Sequence, residues 1–412
     1  MENIIVQKYG GTSVGNVERI FNVAKRIIKT KESGSDVIVV VSAMGDTTDE
    51  LIEKAKQVTL NPSSRELDML VSTGEQISIS LLSMAINSLG HKAISLTGPQ
   101  CGVLTTGKHK NARIKEINTQ RLKSELSKGN IIIVAGFQGI NEKNDITTLG
   151  RGGSDTSAVA IASSIGAKKC EIYTDVDGVY TTDPRLVSTA NKIDKISYDE
   201  MLELASLGAG VLHPRAVELA RKYNMPLIVR SSLNDNPGTE IAEVNSMEKA
   251  IVSGVALDKD IAKVSVIEVP DKPGIAFKVF SALASNGIFF DMIIQNVTRN
   301  SVNDITFTVK GDELNEALDV TRKVAEEIGA KEVLYDRSVV KVSIVGTGIA
   351  GSADIASSFF QTLYDLGINI GMISTSEIKI SCIIEEGKGV EALNALHSKF
   401  GLDKVSGKNK AV

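Results

Sequence analysis

The stretch Ile4-Ile5-Val6-Gln7-Lys8-Tyr9-Gly10-Gly11-Thr12-Ser13 decides how the chain begins to fold. Its apolar run predicts a buried strand from Ile4 to Gln7, and an amphipathic helix is predicted after the glycines, from Asn16 to Thr30. Glycines let a backbone come close to a bulky anion, and a helix N-terminus offers free N–H donors. Lys8 adds a positive charge beside them. The turn therefore indicates a phosphate site, although a tight structural turn with an exposed lysine has the same pattern.

Strands and helices alternate from this turn to about residue 245. Strands are predicted at Ile4–Gln7, Val37–Val41, Ala93–Leu96, Ile131–Ala135, Glu171–Thr174 and Leu227–Arg230. Helices are predicted at Asn16–Thr30, Glu50–Val58, Gly74–Asn87, Ile114–Lys128, Asp155–Ile165, Ser197–Leu207 and Pro214–Tyr223. This alternation predicts an α/β domain over residues 1–245, with a mostly parallel sheet covered by helices on both faces.

The remainder of the chain contains an internal repeat. Lys263-Val264-Ser265-Val266-Ile267 recurs as Lys341-Val342-Ser343-Ile344-Val345, and a glycine with flanking apolar residues recurs at a fixed offset. Each copy is predicted to form a small βαββαβ unit, the first over residues 263–335 and the second over 338–408.

Composition excludes several classes of protein. A net charge of −4 over 412 residues gives no reason to expect nucleic acid or a membrane surface as a partner. The three cysteines are far apart and odd in number, so neither a disulfide framework nor a metal cluster is expected. The N-terminus lacks a basic leader followed by a long apolar run, and a reducing cytoplasm is the expected location.

Two further glycine-rich turns carry polar chemistry. In Gly150-Arg151-Gly152-Gly153-Ser154-Asp155, the arginine suits a carboxylate or phosphate, while Ser154 and Asp155 are equally explained as helix-capping residues. The turn Tyr173–Tyr180 suits nucleotide contact at the carboxyl end of a strand. Its Asp-x-Asp-Gly does not fit a calcium loop, because the glycine comes too early and the later glutamate is missing. Gly346–Gly351 matches a dinucleotide fingerprint, but no acidic residue ends the next strand, so we reject it.

Four motifs together strongly resemble aspartate kinase, in order and over essentially the whole chain. They are residues 8–13 (KYGGTS), 41–48 (VSAMGDTT), 148–156 (TLGRGGSDT) and 173–179 (YTDVDGV), and the repeat resembles the paired ACT domains of that family. The resemblance is to the monofunctional bacterial type. It implies the amino-acid kinase fold followed by two ACT regulatory units.

The resemblance also implies the reaction and its residues. ATP and L-aspartate would give ADP and 4-phospho-L-aspartate, the first step towards lysine, threonine and methionine, with magnesium bound through the phosphates of ATP. The catalytic residues implied are Lys8 and Asp155, and the aspartate-binding residues are Thr48, Glu75, Arg151 and Ser154. In this assignment Arg151 holds the α-carboxylate and Glu75 accepts the α-ammonium. ATP-binding residues implied are Lys8, Tyr9, Gly10, Gly11, Thr174, Asp175, Tyr180, Arg185, Gly210 and Val211.

Regulation by an amino acid is implied for the ACT units. The effector would be lysine, threonine or both, held by Asp271, Gly274, Ile275, Asp291, Gln295 and Asn296, and paired ACT units imply a homodimer or a larger homo-oligomer. Two departures stand out: the lysine that the family usually has near ATP is Gly210 here, which predicts weaker ATP binding, and Ser352-Ala353-Asp354 replaces the His-Pro-Gly usual in the second unit. The alternatives are another amino-acid kinase and a non-catalytic amino-acid sensor on the same fold.

Overall fold

The computed structural model describes residues 3–207, 211–244, 251–297, 302–349 and 351–404. The chain divides into two compact units. The first comprises residues 1–180, 192–206 and 210–245, and the second comprises 181–191, 207–209 and 246–412.

The first unit contains twelve strands and eight helices within its described residues. Its strands are β1 (Ile4–Tyr9), β2 (Asp36–Val41), β3 (Ala93–Leu96), β4 (Val103–Thr105), β5 (Ile114–Ile117), β6 (Ile131–Ala135), β7 (Gln138–Ile140), β8 (Ile146–Thr148), β9 (Lys169–Thr174), β10 (Lys195–Ile196), β11 (Leu227–Ser231) and β12 (Thr239–Ile241). Its helices are α1 (Val17–Glu32), α2 (Thr47–Val58), α3 (Ser64–Val71), α4 (Thr73–Ser88), α5 (Gln120–Ser127), α6 (Gly153–Ile165), α7 (Tyr198–Ser206) and α8 (Pro214–Tyr223).

Eight of these strands form one sheet, in the order β10-β12-β11-β9-β1-β2-β6-β3. Every neighbouring pair is parallel except β11 and β12. The central strands are apolar on both faces because both faces are covered: Val37–Val41 and all of β6 are buried. This confirms the expected α/β class and each of the six predicted strands.

Helices cover both faces of the sheet. On one face, apolar residues of α1 and α4 form a single core with Tyr9 of β1 and alternate residues of β2 and β6. The opposite face contacts α6, which is buried along almost its whole length. The helical stretch Ser64–Ser88 has the length and apolar character of a membrane span, yet 56% of its most apolar window is buried, as in the core helix of a globular protein.

The helix predicted over Ile114–Lys128 is half wrong. Ile114–Ile117 is a strand, and the helix begins only at Gln120. The run Ile-Lys-Glu-Ile has apolar residues three apart, as a helix does, but it forms β5, which pairs with β4 at the edge of a small sheet of order β5-β4-β7-β8. Pairing with the preceding strand therefore overrode the local helical pattern.

The second unit contains two four-stranded antiparallel sheets. Its strands are β13 (Ile251–Asp258), β14 (Ile261–Pro270), β15 (Phe290–Val297), β16 (Val302–Lys310), β17 (Glu332–Asp336), β18 (Val339–Thr347), β19 (Met372–Ser376) and β20 (Lys379–Glu385). Its helices are α9 (Ile275–Ser285), α10 (Leu314–Ile328), α11 (Ala353–Asp365) and α12 (Gly389–Lys399).

The two repeats differ in how their sheets are completed. The first follows β14-α9-β15-β16-α10-β17, and its sheet order is β15-β16-β14-β17. The second follows β18-α11-β19-β20-α12, and no strand follows α12 in the chain described to residue 404. The position that β17 takes in the first sheet is taken in the second by β13, which precedes the first repeat. The second repeat therefore draws its closing strand from upstream.

Candidate active site

A cavity of about 820 Å³ opens where β1, β2 and β6 end and α6 begins. In a parallel sheet the carboxyl ends of the strands meet at one edge, which is where ligands bind in open α/β folds. The cavity brings together six residues that are far apart in sequence and that were assigned to catalysis or aspartate binding, namely Lys8, Thr48, Glu75, Arg151, Ser154 and Asp155.

Lys8 and Asp155 form the charged centre of this cavity. Lys8 is the penultimate residue of β1, Asp155 lies in the first turn of α6, and Lys8 Nζ is 2.6 Å from Asp155 Oδ1. Each side chain is 12% exposed, so the pair is largely shielded from water yet still reaches the cavity. An ammonium held in place by a carboxylate can meet an incoming phosphate without first having to reorganise.

Two glycines in the wall occupy positions that a larger residue cannot take without displacing its neighbours. A Cβ on Gly11 would lie 2.7 Å from the carbonyl oxygen of Ala43, so the β1 turn and the loop after β2 meet only through backbone. Gly152 precedes α6 with a φ of 65°, and a Cβ there would lie 2.2 Å from His213. The tight turn before α6 therefore depends on glycine, and it places the start of that helix, where anions commonly bind, in the same cavity as Lys8.

Glu75 is a buried carboxylate with one oxygen left without a partner. It lies in the first turn of α4 and is only 3% exposed. Its Oε1 accepts a hydrogen bond from the Ala43 N–H at 3.1 Å, whereas Oε2 has no hydrogen-bond partner. Burial raises the pKa of Glu75 to about 7. A buried acceptor of this kind is suited to a cationic ligand group.

Arg151 lines the same cavity as Glu75. It is exposed between two glycines of positive φ, Gly150 at 78° and Gly152 at 65°. Among the described residues no hydrogen bond or ion pair engages its side chain, although it lines the cavity. A guanidinium presented in this way is free to bind a carboxylate with two parallel hydrogen bonds.

The expected ATP-binding residues lie on neighbouring segments, and not all of them present side chains. Tyr9 is fully buried and stacks on Tyr173, with ring centroids 4.7 Å apart, so it has only backbone to offer a nucleotide. Gly10 donates its N–H to the Tyr173 carbonyl at 3.3 Å, which fixes the turn against β9. Thr174 and Asp175 follow at the end of β9, where the Thr174 hydroxyl donates to Asp175 Oδ1 at 3.0 Å.

The other ATP-binding candidates are more scattered. The Tyr180 hydroxyl donates to Asp177 Oδ1 at 2.7 Å, and Val211 is half-buried in the first unit. Arg185 belongs to the second unit, where it binds Asp183 through Nε and Nη2 and is 86% exposed. Gly210, with the charge lost there, lies outside the described residues.

A second cavity, of about 100 Å³, lies at the start of α9 in the second unit. Four expected effector residues line it, namely Asp271, Gly274, Ile275 and Gln295. Sequence reasoning missed Asn303, whose Nδ2 donates to Asp271 Oδ1 at 3.0 Å while its own Oδ1 is buried without a partner.

Two expected effector residues do not line that cavity. Asn296 is exposed near the end of β15. Asp291 binds the buried ammonium of Lys341 at 2.6 Å, and this cation lowers the pKa of Asp291 despite an opposing effect of burial. The ion pair joins a strand of the first repeat to the first strand of the second repeat, and Asp258 lies 3.7 Å from the same ammonium.

Sequence reasoning also missed Asp68 and Phe137 in the wall of the larger cavity. Asp68 lies on α3 and is 1% exposed, yet it contacts residues 41 and 80 positions away in sequence. No local motif marks either residue, because their contacts arise only from the tertiary fold. Across the residues that the structure describes, no group of three or more His, Cys, Asp or Glu side chains is arranged to hold a metal ion.

Comparison with known proteins identifies the same two parts. The amino acid kinase family model matches residues 3–231, and ACT domain models match residues 264–326 and 342–400. An aspartokinase of Geobacillus stearothermophilus is 52% identical over 400 residues, which is 97% of each chain.

Solved structures agree. Aspartokinase III of E. coli in complex with aspartate and ADP (R-state) is 25% identical with a TM-score of 0.81, over 96% of this chain and 99% of the other. The same enzyme in complex with lysine and aspartate (T-state) is 25% identical with a TM-score of 0.74, over 97% and 99%.

Proposed function

The chain belongs to the aspartate kinase family, and we propose that the cavity where β1, β2 and β6 end is its aspartate site. The enzyme transfers the γ-phosphoryl group of ATP to the side-chain carboxylate of L-aspartate, giving 4-phospho-L-aspartate and ADP. The observation that carries the site assignment is the convergence of Lys8, Glu75 and Arg151 on one cavity.

The charges of the cavity match those of aspartate. Arg151 binds the α-carboxylate, and the unpartnered Oε2 of Glu75 accepts the α-ammonium. Thr48 and Ser154 supply hydroxyl groups to the bound amino acid. With the α-carboxylate and the α-ammonium both held, the side-chain carboxylate is directed towards Lys8 and the N-terminus of α6.

The chemistry needs positioning and charge neutralisation rather than a general base. The aspartate side chain, with a reference pKa of ~3.9, is already an anion at neutral pH. The barrier lies in bringing this anion to a polyanionic triphosphate. Lys8 neutralises charge on the transferring phosphoryl group, and Asp155 holds the Lys8 ammonium in place.

Nucleotide binding follows the neighbouring backbone. The turn at Tyr9, Gly10 and Gly11 brings its backbone close to the phosphates, and Thr174 and Asp175 meet the nucleotide at the end of β9. Further contacts are assigned to Tyr180, Arg185, Gly210 and Val211. Magnesium carried by the phosphates supplies additional charge neutralisation, and this arrangement needs few protein ligands.

An effector amino acid is assigned to the cavity at the start of α9. The N–H groups at that helix N-terminus suit a carboxylate, and Asp271 with the buried Oδ1 of Asn303 suits an ammonium. Lysine, threonine or both are the effectors we propose, since lysine is bound by the E. coli relative. Asp291, which is paired with Lys341, would then link effector binding to the contact between the two repeats.

Assembly and location complete the proposal. Large apolar side chains of the second unit are exposed, among them Phe277 at 74% and Phe289 at 65%, and exposed apolar surface commonly marks association between chains. We therefore expect a homo-oligomer formed through the ACT units, which light scattering of the purified enzyme measures directly. Three buried free cysteines suit a reducing cytoplasm.

Steady-state kinetics of ADP release test the site. Removing a charge-assisted contact loses about 2 kcal/mol, so Arg151→Ala should raise KM for aspartate roughly 30-fold. Arg121→Ala, an exposed arginine on α5, is the matched control and should leave KM unchanged. Turnover with glutamate equal to that with aspartate would favour another amino-acid kinase, and no aspartate-dependent ADP release would favour a non-catalytic sensor.

A further inference from the structure

Lys110 also lines the aspartate cavity, and no catalytic or binding role has been given to it or to its loop. Its φ is 63°, in the left-handed region that residues other than glycine seldom adopt. A strained backbone of this kind persists only where surrounding contacts enforce it, and such residues cluster at functional sites.

Asp68 supplies the enforcing contacts. Both of its carboxylate oxygens accept from the Lys110 N–H, each at 3.1 Å, and its Oδ2 lies 2.8 Å from His109 Nδ1. The same carboxylate accepts from the N–H of Thr148 at 3.1 Å and from its hydroxyl at 2.6 Å. One buried side chain thus fixes the Lys110 loop and the end of β8 together.

This arrangement places Lys110 next to the turn that presents Arg151. Thr148 is three residues before Arg151, and the Lys110 carbonyl oxygen lies 2.9 Å from the position of a Cβ on Gly150. The Lys110 side chain is exposed, and among the described residues no ion pair engages its ammonium. Lys110 and Arg151 therefore stand on neighbouring turns, and both line the cavity.

We propose that Lys110 is a second cationic binding residue for the substrate α-carboxylate, beside Arg151, and that Asp68 is the positioning residue that holds both. The inference rests on the aspartate site proposed above. Aspartate carries two carboxylates and one ammonium, so a second cation at the carboxylate end increases its binding without taking part in phosphoryl transfer. Lys110 then affects KM for aspartate rather than kcat.

Lys110→Gly tests the proposal without risking the fold. Glycine adopts the left-handed backbone freely and keeps the N–H that Asp68 accepts, so only the cation is lost. KM for aspartate should rise about fivefold, with KM for ATP and kcat changing less than twofold. Lys110→Arg should restore most of the affinity. Lys108→Gly, an exposed lysine of the same loop outside the cavity lining, should change nothing.

A double-mutant cycle tests the positioning role of Asp68. Asp68→Asn weakens the hold on Lys110, so its effect on KM for aspartate should be smaller when Lys110 is already glycine. Strictly additive effects, or a loss of thermal stability with unchanged KM, would remove Asp68 from the proposal.

The outcomes separate this inference from the site itself. An unchanged KM for aspartate in Lys110→Gly, or a rise in KM for ATP instead, overturns the role of Lys110 while Arg151→Ala still weakens aspartate. If Arg151→Ala also leaves KM for aspartate unchanged, the aspartate site has been assigned to the wrong cavity.

Discussion

Binding of aspartate should release a proton from Glu75. Burial raises the pKa of this carboxyl to about 7, so the free enzyme holds it largely protonated in mildly acid solution. When the substrate ammonium reaches Oε2, the nearby cation favours the carboxylate and the proton leaves. With a pKa near 7, about 0.8 proton should be released per aspartate at pH 6.5 and about 0.1 at pH 8.

Isothermal titration calorimetry measures this release directly. Aspartate is titrated into the enzyme at pH 6.5 in buffers of different ionisation enthalpy, and the slope of observed enthalpy against ionisation enthalpy gives the number of protons. Glu75→Gln should give a slope near zero and lose about 2 kcal/mol of affinity, because its amide no longer attracts the ammonium electrostatically. Glu50→Gln, an exposed acid on α2, should behave as the unaltered enzyme.

The Glu75→Gln variant, which binds aspartate more weakly, should have a higher free energy of unfolding than the unaltered enzyme at alkaline pH. Between pH 4.5 and about 7 the folded enzyme binds a proton that the unfolded chain has lost, so the free energy of unfolding falls as pH rises through that window and is level above it. Without aspartate at pH 8, Glu75→Gln should therefore be more stable by up to about 3 kcal/mol. A Glu75→Gln enzyme that keeps both full affinity and the proton release would refute the reasoning.

Three further variants probe other parts of the account. Lys8→Met should lower kcat by about 10²–10³-fold or more, and Lys8→Met with Asp155→Asn should regain the stability lost by leaving a carboxylate unpaired, but not the turnover. Gly11→Ala places a methyl group 2.7 Å from a backbone carbonyl oxygen and should lower kcat/KM about tenfold or more. Gly107→Ala, with nothing within 4 Å, should not. Asn303→Ala should raise the lysine or threonine concentration for half-inhibition about tenfold, and unaltered inhibition would remove that residue from the effector cavity.

The elements that sequence predicted well are those whose pattern is local. The apolar runs of β2 and β6 are long enough to mark buried strands, and the glycine turns after β1 and before α6 carry their own signature. The position of Arg151 between two glycines likewise predicted an exposed arginine for ligand binding, and this residue lines the cavity. Each of these inferences depends on residues only a few positions apart.

Features that depend on partners elsewhere in the chain could not be predicted from the sequence. Ile114–Ile117 is a strand only because β4 lies beside it, and β13 joins a sheet whose other strands begin more than eighty residues later. Asp68 lies within an ordinary helical segment, and only the fold brings it to Lys110 and Thr148. The pairing of Asp291 with Lys341 arises in the same way from two separate repeats.

A crystal structure of the enzyme with L-aspartate and ADP tests the central claim most directly. The account predicts the α-carboxylate against Arg151, the α-ammonium within hydrogen-bond distance of Glu75 Oε2, and the side-chain carboxylate facing Lys8. Aspartate bound outside this cavity, or bound in it with its ammonium away from Glu75, would contradict the account.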